Sequence, residues 1–97
     1  LATNSYELLF ITEPALDAER LAAIQERIAG MITAGAGTVE STDDWGVRRL
    51  AYKIKKSDEG RYILINFLCD PAQIAAIDKQ IRIMQDIMRF VVVRKGD

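Results

Sequence analysis

Trp45-Gly46-Val47-Arg48-Arg49-Leu50-Ala51-Tyr52-Lys53-Ile54-Lys55-Lys56 carries five positive charges and no negative one. Leu50, Tyr52 and Ile54 recur there at every second position, the spacing of a strand whose side chains alternate between two faces. One face can then join a core while Arg49, Lys53 and Lys55 point outward. Such a strand can offer cations to phosphate, and it equally suits a solvated sheet edge, where lysines discourage edge-to-edge pairing. Under either reading, residues 45–56 belong to a sheet.

Toward the C-terminus, Ser57-Asp58-Glu59-Gly60 has turn chemistry, and Arg61 to Cys69 reads as the next strand. Asp70-Pro71-Ala72-Gln73 resembles a capping box with proline at the first helical position. The helix it opens has the stripe Ile74, Ile77, Ile81 and Met84, and Phe90 to Arg94 forms a last strand. Toward the N-terminus, the basic strand extends back to Thr38, with a bulge or bend expected near Gly46. Gly35 and Gly37 stand where a helix commonly ends in a left-handed residue. That helix has the stripe Leu21, Ile24, Ile28 and Ile32 and is capped by Asp17. Tyr6 to Ile11 is a first strand, ended by Pro14. The order is βαββαβ, the split βαβ or ferredoxin-like arrangement: an α+β fold with a four-stranded antiparallel sheet and two helices on one face. No linker, repeat or low-complexity stretch interrupts it, so a single domain over residues 1–97 is expected.

With both helices on one side, the other face of the sheet should be polar and the strands should alternate. They do not. Leu8 and Phe10 are matched by Leu9 and Ile11 on the opposite parity; Ile63, Ile65 and Phe67 by Tyr62, Leu64 and Leu68; Phe90 and Val92 by Val91 and Val93. A two-sided apolar sheet points to a protein partner or self-association, although strand propensity alone also favours such residues.

The 97 residues, 49% of them hydrophobic, suit one small core. There is no stretch of roughly 20 apolar residues for a membrane helix, and the opening Leu1-Ala2-Thr3-Asn4-Ser5 does not read as a signal peptide. The net charge of −1 conceals a split. Residues 1–44 hold eight acids against Arg20 and Arg27, a balance of −6, while residues 45–97 hold eleven bases against six acids, a balance of +5. Screening limits each charge to about 8–10 Å in physiological salt, so the local balance governs phosphate binding. The small total implies weak affinity for RNA alone and help from a more basic partner.

Catalysis finds little support. The chain has no histidine, which removes the side chain best suited to proton transfer near neutral pH, and with a single cysteine it cannot assemble a zinc site. Cys69 excludes an internal disulfide, shares parity with Phe67 as a small core residue would, and fits a reducing cytosolic setting. Asp43 and Asp44 are adjacent in a strand and so point to opposite faces. The glycines match no phosphate-cradling or dinucleotide-binding pattern, and no cofactor or metal is expected. The strand order is shared with the RNA-recognition module, but the third strand lacks that module's aromatic signature; only Tyr62 could stack a base on the open face. Trp45 suits packing against the hairpin or helix layer better than base stacking.

Tyr6-Glu7, Pro14, Gly46-Val47-Arg48-Arg49-Leu50-Ala51-Tyr52, Ile54, Gly60 and Val91-Val92-Val93 together resemble the family of the sixth protein of the bacterial small ribosomal subunit, over about residues 6 to 95. Many members have proline where this chain has Lys53. The resemblance implies a non-catalytic, cytoplasmic ribosomal protein of the subunit platform. It would bind small-subunit rRNA as a heterodimer with the eighteenth small-subunit protein, a basic partner, and be a monomer when isolated. Arg48 and Arg49 match the family's paired arginines. The RNA-binding candidates are Arg48, Arg49, Lys53, Lys55, Lys56, Arg94 and Lys95, with Arg89 a weaker one. The protein-partner candidates are Leu9, Ile11, Leu64, Leu68, Val91 and Val93. The alternative is a self-dimerising or ligand-binding ferredoxin-like regulatory domain without RNA.

Overall fold

A computed structural model describes residues 3–54 and 57–95. The elements run β1 (Asn4–Thr12), α1 (Ala18–Ala34), β2 (Thr38–Ile54), β3 (Ser57–Cys69), α2 (Ile74–Arg82) and β4 (Ile87–Arg94), with a short 3-10 turn at Pro71–Gln73 before α2. The strands form one antiparallel sheet in the order β2-β3-β1-β4. This is the expected ferredoxin-like arrangement.

The parity of the strands decides which residues meet the helices. Tyr6, Leu8 and Phe10 of β1 and Ile63, Ile65, Phe67 and Cys69 of β3 lie on the helix side. They pack with Ile24, Ile28, Met31 and Ile32 of α1 and with Ile77 and Ile81 of α2. The Tyr6 and Phe67 rings stack at 5.6 Å between centroids. α1 starts as its sequence requires, with Asp17 accepting from the Arg20 N–H at 2.8 Å. Asp70, expected to open a capping box on the second helix, instead caps the 3-10 turn ahead of it by accepting from the Ala72 N–H at 2.9 Å. α2 itself begins after Gln73 without a side-chain cap. Each such cap is worth about 1 kcal/mol.

Three further expectations are corrected. First, the left-handed residue ending α1 is Ala36 (φ 64), not a glycine. Gly37 N–H reaches Ile32 C=O and Ala36 N–H reaches Thr33 C=O, the paired bonds of a Schellman end. The glycine is needed one position later, because a Cβ at Gly37 would lie 2.6 Å from the Leu68 carbonyl and 2.8 Å from Ile32 Cγ2. Second, Ser57–Gly60 is strand rather than turn, since Ile54 pairs with Ser57 and Arg48 with Gly60. The Ser57 hydroxyl donates to the Glu59 carbonyl at 2.8 Å, so turn-type side chains are satisfied locally within the strand. Third, β4 starts at Ile87, ahead of Phe90, because Ile87 is buried and pairs with Thr12 across a register shift.

β2, an edge strand, shifts register three times: between Val39 and Ser41, between Asp44 and Gly46, as expected near that glycine, and between Arg49 and Ile54. Gly46 has φ +80, a left-handed value that glycine adopts without penalty, and its N–H bonds the Asp44 carboxylate at 2.8 Å. The second bulge leaves Trp45 as the additional residue and twists the edge away from pairing.

Candidate RNA and protein interface

The face opposite the helices is built from Glu7, Leu9 and Ile11 of β1, Tyr62, Leu64, Asn66 and Leu68 of β3, and Arg89, Val91 and Val93 of β4. Leu64, Leu9 and Val91 stand in one row across three strands. Val91 and Val93 are 49% and 48% exposed, and Leu9, Leu64 and Leu68 are half-buried. Five of the six partner-face candidates therefore share one uncovered surface. Ile11 is the exception, at 8% exposure. It lies on the same face, but a Cβ at Gly60 would run into its Cγ2 and sit 3.5 Å from Leu50 Cδ2, so the base of the β2–β3 hairpin closes over it. Ile11 supports this surface from below and is not itself open to a partner. A groove of about 200 Å³ beside it is lined by Leu9, Ile11, Arg89, Phe90 and Val91.

The face is also less uniformly apolar than strand parity suggests. Glu7 stands within it, between Asn66 and Val93. The Asn66 amide donates to Ser41 at 3.0 Å and its oxygen accepts from Lys95 Nζ at 3.2 Å. Aliphatic surface thus occupies the middle of the sheet, with a polar strip at one end.

The other end carries an aromatic and cationic strip that strand alternation alone does not reveal. Trp45 lies parallel to Tyr62, with 6.4 Å between centroids and 8° between planes, and the Arg48 guanidinium carbon is 5.1 Å from the Trp45 ring centroid. Arg89 likewise lies 5.0 Å from the Tyr52 ring. Trp45, 40% exposed, packs on the open sheet face and not against the helix layer. A cation over an exposed ring gains about 0.5–1 kcal/mol, enough to pre-orient the guanidinium while its edge stays available for phosphate.

The basic candidates fall into separate groups. Arg48 faces the open side opposite Gly60, and Arg49, opposite Glu59, points to the other side of the strand. Lys53 is exposed near the end of the same hairpin, and Arg89 adjoins this group. Lys55 and Lys56 lie outside the described residues. Arg94 pairs with Tyr6, and the Lys95 N–H bonds the Ser5 carbonyl, at the opposite end of the sheet. Ser5 and Thr12 are seven residue steps apart along β1, about 23 Å at strand rise. One cluster of cations is not formed.

Other charged groups are already engaged. Arg61 donates to Asp44 at 2.8 Å, Arg82 to Asp78 at 2.9 Å, and Arg20 to Asp86 at 3.1 Å. Asp43 sits opposite Leu64 on the open face while Asp44 bonds Arg61, so the adjacent carboxylates do not act together. Burial pushes the Cys69 thiol up, and Asp70 adds to the shift, which keeps the sulfur protonated and unreactive. Among the described residues no three potential ligands gather to hold a metal, and no helix is long and apolar enough to cross a membrane.

Known proteins share this architecture and sequence. A profile of the family described as Ribosomal protein S6 matches residues 5–94. Small ribosomal subunit protein bS6 of Carboxydothermus hydrogenoformans is 42% identical over 92 residues, spanning 95% of this chain and 96% of that protein. The bS6 of Clostridium novyi is 45% identical over 90 residues, 93% and 95% of the two chains. The crystal structure of 30S ribosomal protein S6 from Thermotoga maritima superposes with a TM-score of 0.88 at 29% identity, covering 97% of this chain and 89% of that one. The C-terminal domain of the MgtC protein from Mycobacterium tuberculosis shares the fold alone, with a TM-score of 0.66 at 9% identity. The close relatives are ribosomal proteins and not enzymes. With residues 5–94 matched and both helices and all four strands in place, the chain belongs to the ribosomal protein S6 family.

Proposed function

We propose that this small-subunit protein works as an assembly adaptor in the cytoplasmic ribosome, binding small-subunit rRNA as a heterodimer with the eighteenth small-subunit protein. The observation that carries the reading is the uncovered aliphatic surface of Leu9, Leu64, Leu68, Val91 and Val93, bordered by Arg48 and Arg89. A chain of net charge −1 has little general attraction for RNA. Seating a basic protein on the apolar surface joins its cations to those at the hairpin end, Arg48, Lys53 and Arg89, while Arg49 meets phosphate from the other side of the strand. Affinity then rises because the second binding event becomes intramolecular, without any new chemistry. Arg94 and Lys95 would touch phosphate separately, at the far end of the sheet. The isolated chain is a monomer in this reading, and its localisation is that of the ribosome.

The test is co-elution of the eighteenth small-subunit protein with a Leu64→Asp/Val93→Asp double variant. Both side chains lie on the open face, so the variant is expected to fold and to lose the partner. Undiminished co-elution would remove this surface from the interface.

A further inference from the structure

Glu7 stands on the central strand β1, where the polar strip meets the uncovered aliphatic surface. It pairs with Asn66 on one side and Val93 on the other; Leu9, the next residue on that face, pairs with Leu64 and Val91. The residue is half-buried and enters none of the ion pairs among the described residues. Lys95, a cation near that end of the face, gives its ammonium hydrogen bond to Asn66 instead. While water reaches the patch, an unpaired carboxylate is tolerable there. Once a partner covers the patch the water leaves, and a charge left unpaired under apolar surface costs more than nearby aliphatic packing returns.

We propose that Glu7 is the specificity-determining residue of this face, accepting a guanidinium or ammonium from the protein that covers Leu9, Leu64, Val91 and Val93. The inference rests on the heterodimer reading and deepens it by naming the chemistry the partner must bring: an apolar segment carrying one inward-facing cation. Arginine fits best, because its planar fork meets a carboxylate through two parallel hydrogen bonds. A second copy of this chain is the poorer occupant. A twofold axis through the patch would bring two Glu7 carboxylates together under one cover, and like charges in a shared site disfavour each other.

Calorimetric titration of the full chain with the eighteenth small-subunit protein tests this, using wild type, Glu7→Gln and Glu7→Leu. Glu7→Gln keeps the shape and removes the charge; it should weaken association at least about thirtyfold, the effect of stranding one member of a covered charge pair. Glu7→Leu separates the two possible characters of the surface. A purely apolar interface would bind the leucine variant as tightly as wild type or more so, whereas a partner cation left without its carboxylate makes it bind more weakly. Thermal unfolding of each variant alone shows that the fold is intact, and Glu7→Gln stands by itself should Glu7→Leu fail to fold. Equal affinity of wild type and Glu7→Gln overturns the assignment of Glu7 while leaving the heterodimer standing. No association even by wild type overturns the heterodimer reading itself.

Discussion

Gly60 shows how one missing side chain shapes the open face. It pairs with Arg48, is buried, and lies against Ile11, the Thr12 carbonyl and Leu50. A methyl group there would have to displace Ile11 Cγ2, the branch methyl on Cβ of a buried isoleucine and not the far end of a flexible side chain. Gly60→Ala should therefore destabilise the protein by about 1–3 kcal/mol, the usual cost of overpacking, as measured by urea denaturation. The same crowding explains why sequence parity misplaces Ile11. Parity shows that it faces away from the helices, but only the path of the hairpin shows that Leu50 and Gly60 close over it. Glu7 is the converse case. Its parity with Leu9 is visible in the sequence, yet its place between Asn66 and Val93, at the border of the aliphatic patch, comes from neighbours on two other strands.

The end of α1 carries a cost that can be relieved. Ala36 adopts φ 64, where its Cβ crowds the backbone, and it is held there by the Schellman hydrogen bonds and the close packing of the neighbouring Gly37. Ala36→Gly should raise stability by about 0.5–1 kcal/mol, read as a higher denaturation midpoint without a change in slope. The cap of α1 at Asp17, the turn capped by Asp70 and the two apolar stripes are legible in the sequence because they depend on residues within one or two turns. The Ser57–Gly60 segment is not. Its residues favour a turn locally, but pairing across the hairpin to Ile54, Arg49 and Arg48 outweighs that preference.

Over the whole molecule the basic candidates separate toward the two ends of the sheet. Arg48 and Arg89 lie on the open side at the hairpin end, with Lys53 near the same end and Arg49 on the other side of the strand, whereas Arg94 lies about 17 Å from Arg89 along the sheet, with Lys95 beyond it. Under the proposed heterodimer reading, reversing Arg48 and Arg49 to Glu should weaken rRNA binding and lower the slope of log affinity against log salt by about one for each phosphate no longer neutralised. Gel-shift titrations at several salt concentrations measure this. An unaltered slope would strike both arginines from the RNA surface. A residual slope is expected in either case, because the far-end pair and the partner's own cations remain.

What the amino-acid sequence determined by itself was the order of elements, the caps at Asp17 and Asp70, the split of charge and the presence of apolar residues on both parities of the strands. Each follows from short-range chemistry: period-two and period-3.6 patterns, cap hydrogen bonds and counts of ionised groups. Only the tertiary structure decided which apolar positions stay uncovered, which arginines are already engaged by carboxylates, and what stands beside Glu7. Those outcomes depend on strand register, on the three register shifts of β2, and on where the hairpin folds across β1. They are set by packing between residues tens of positions apart, for which the chain carries no local signal.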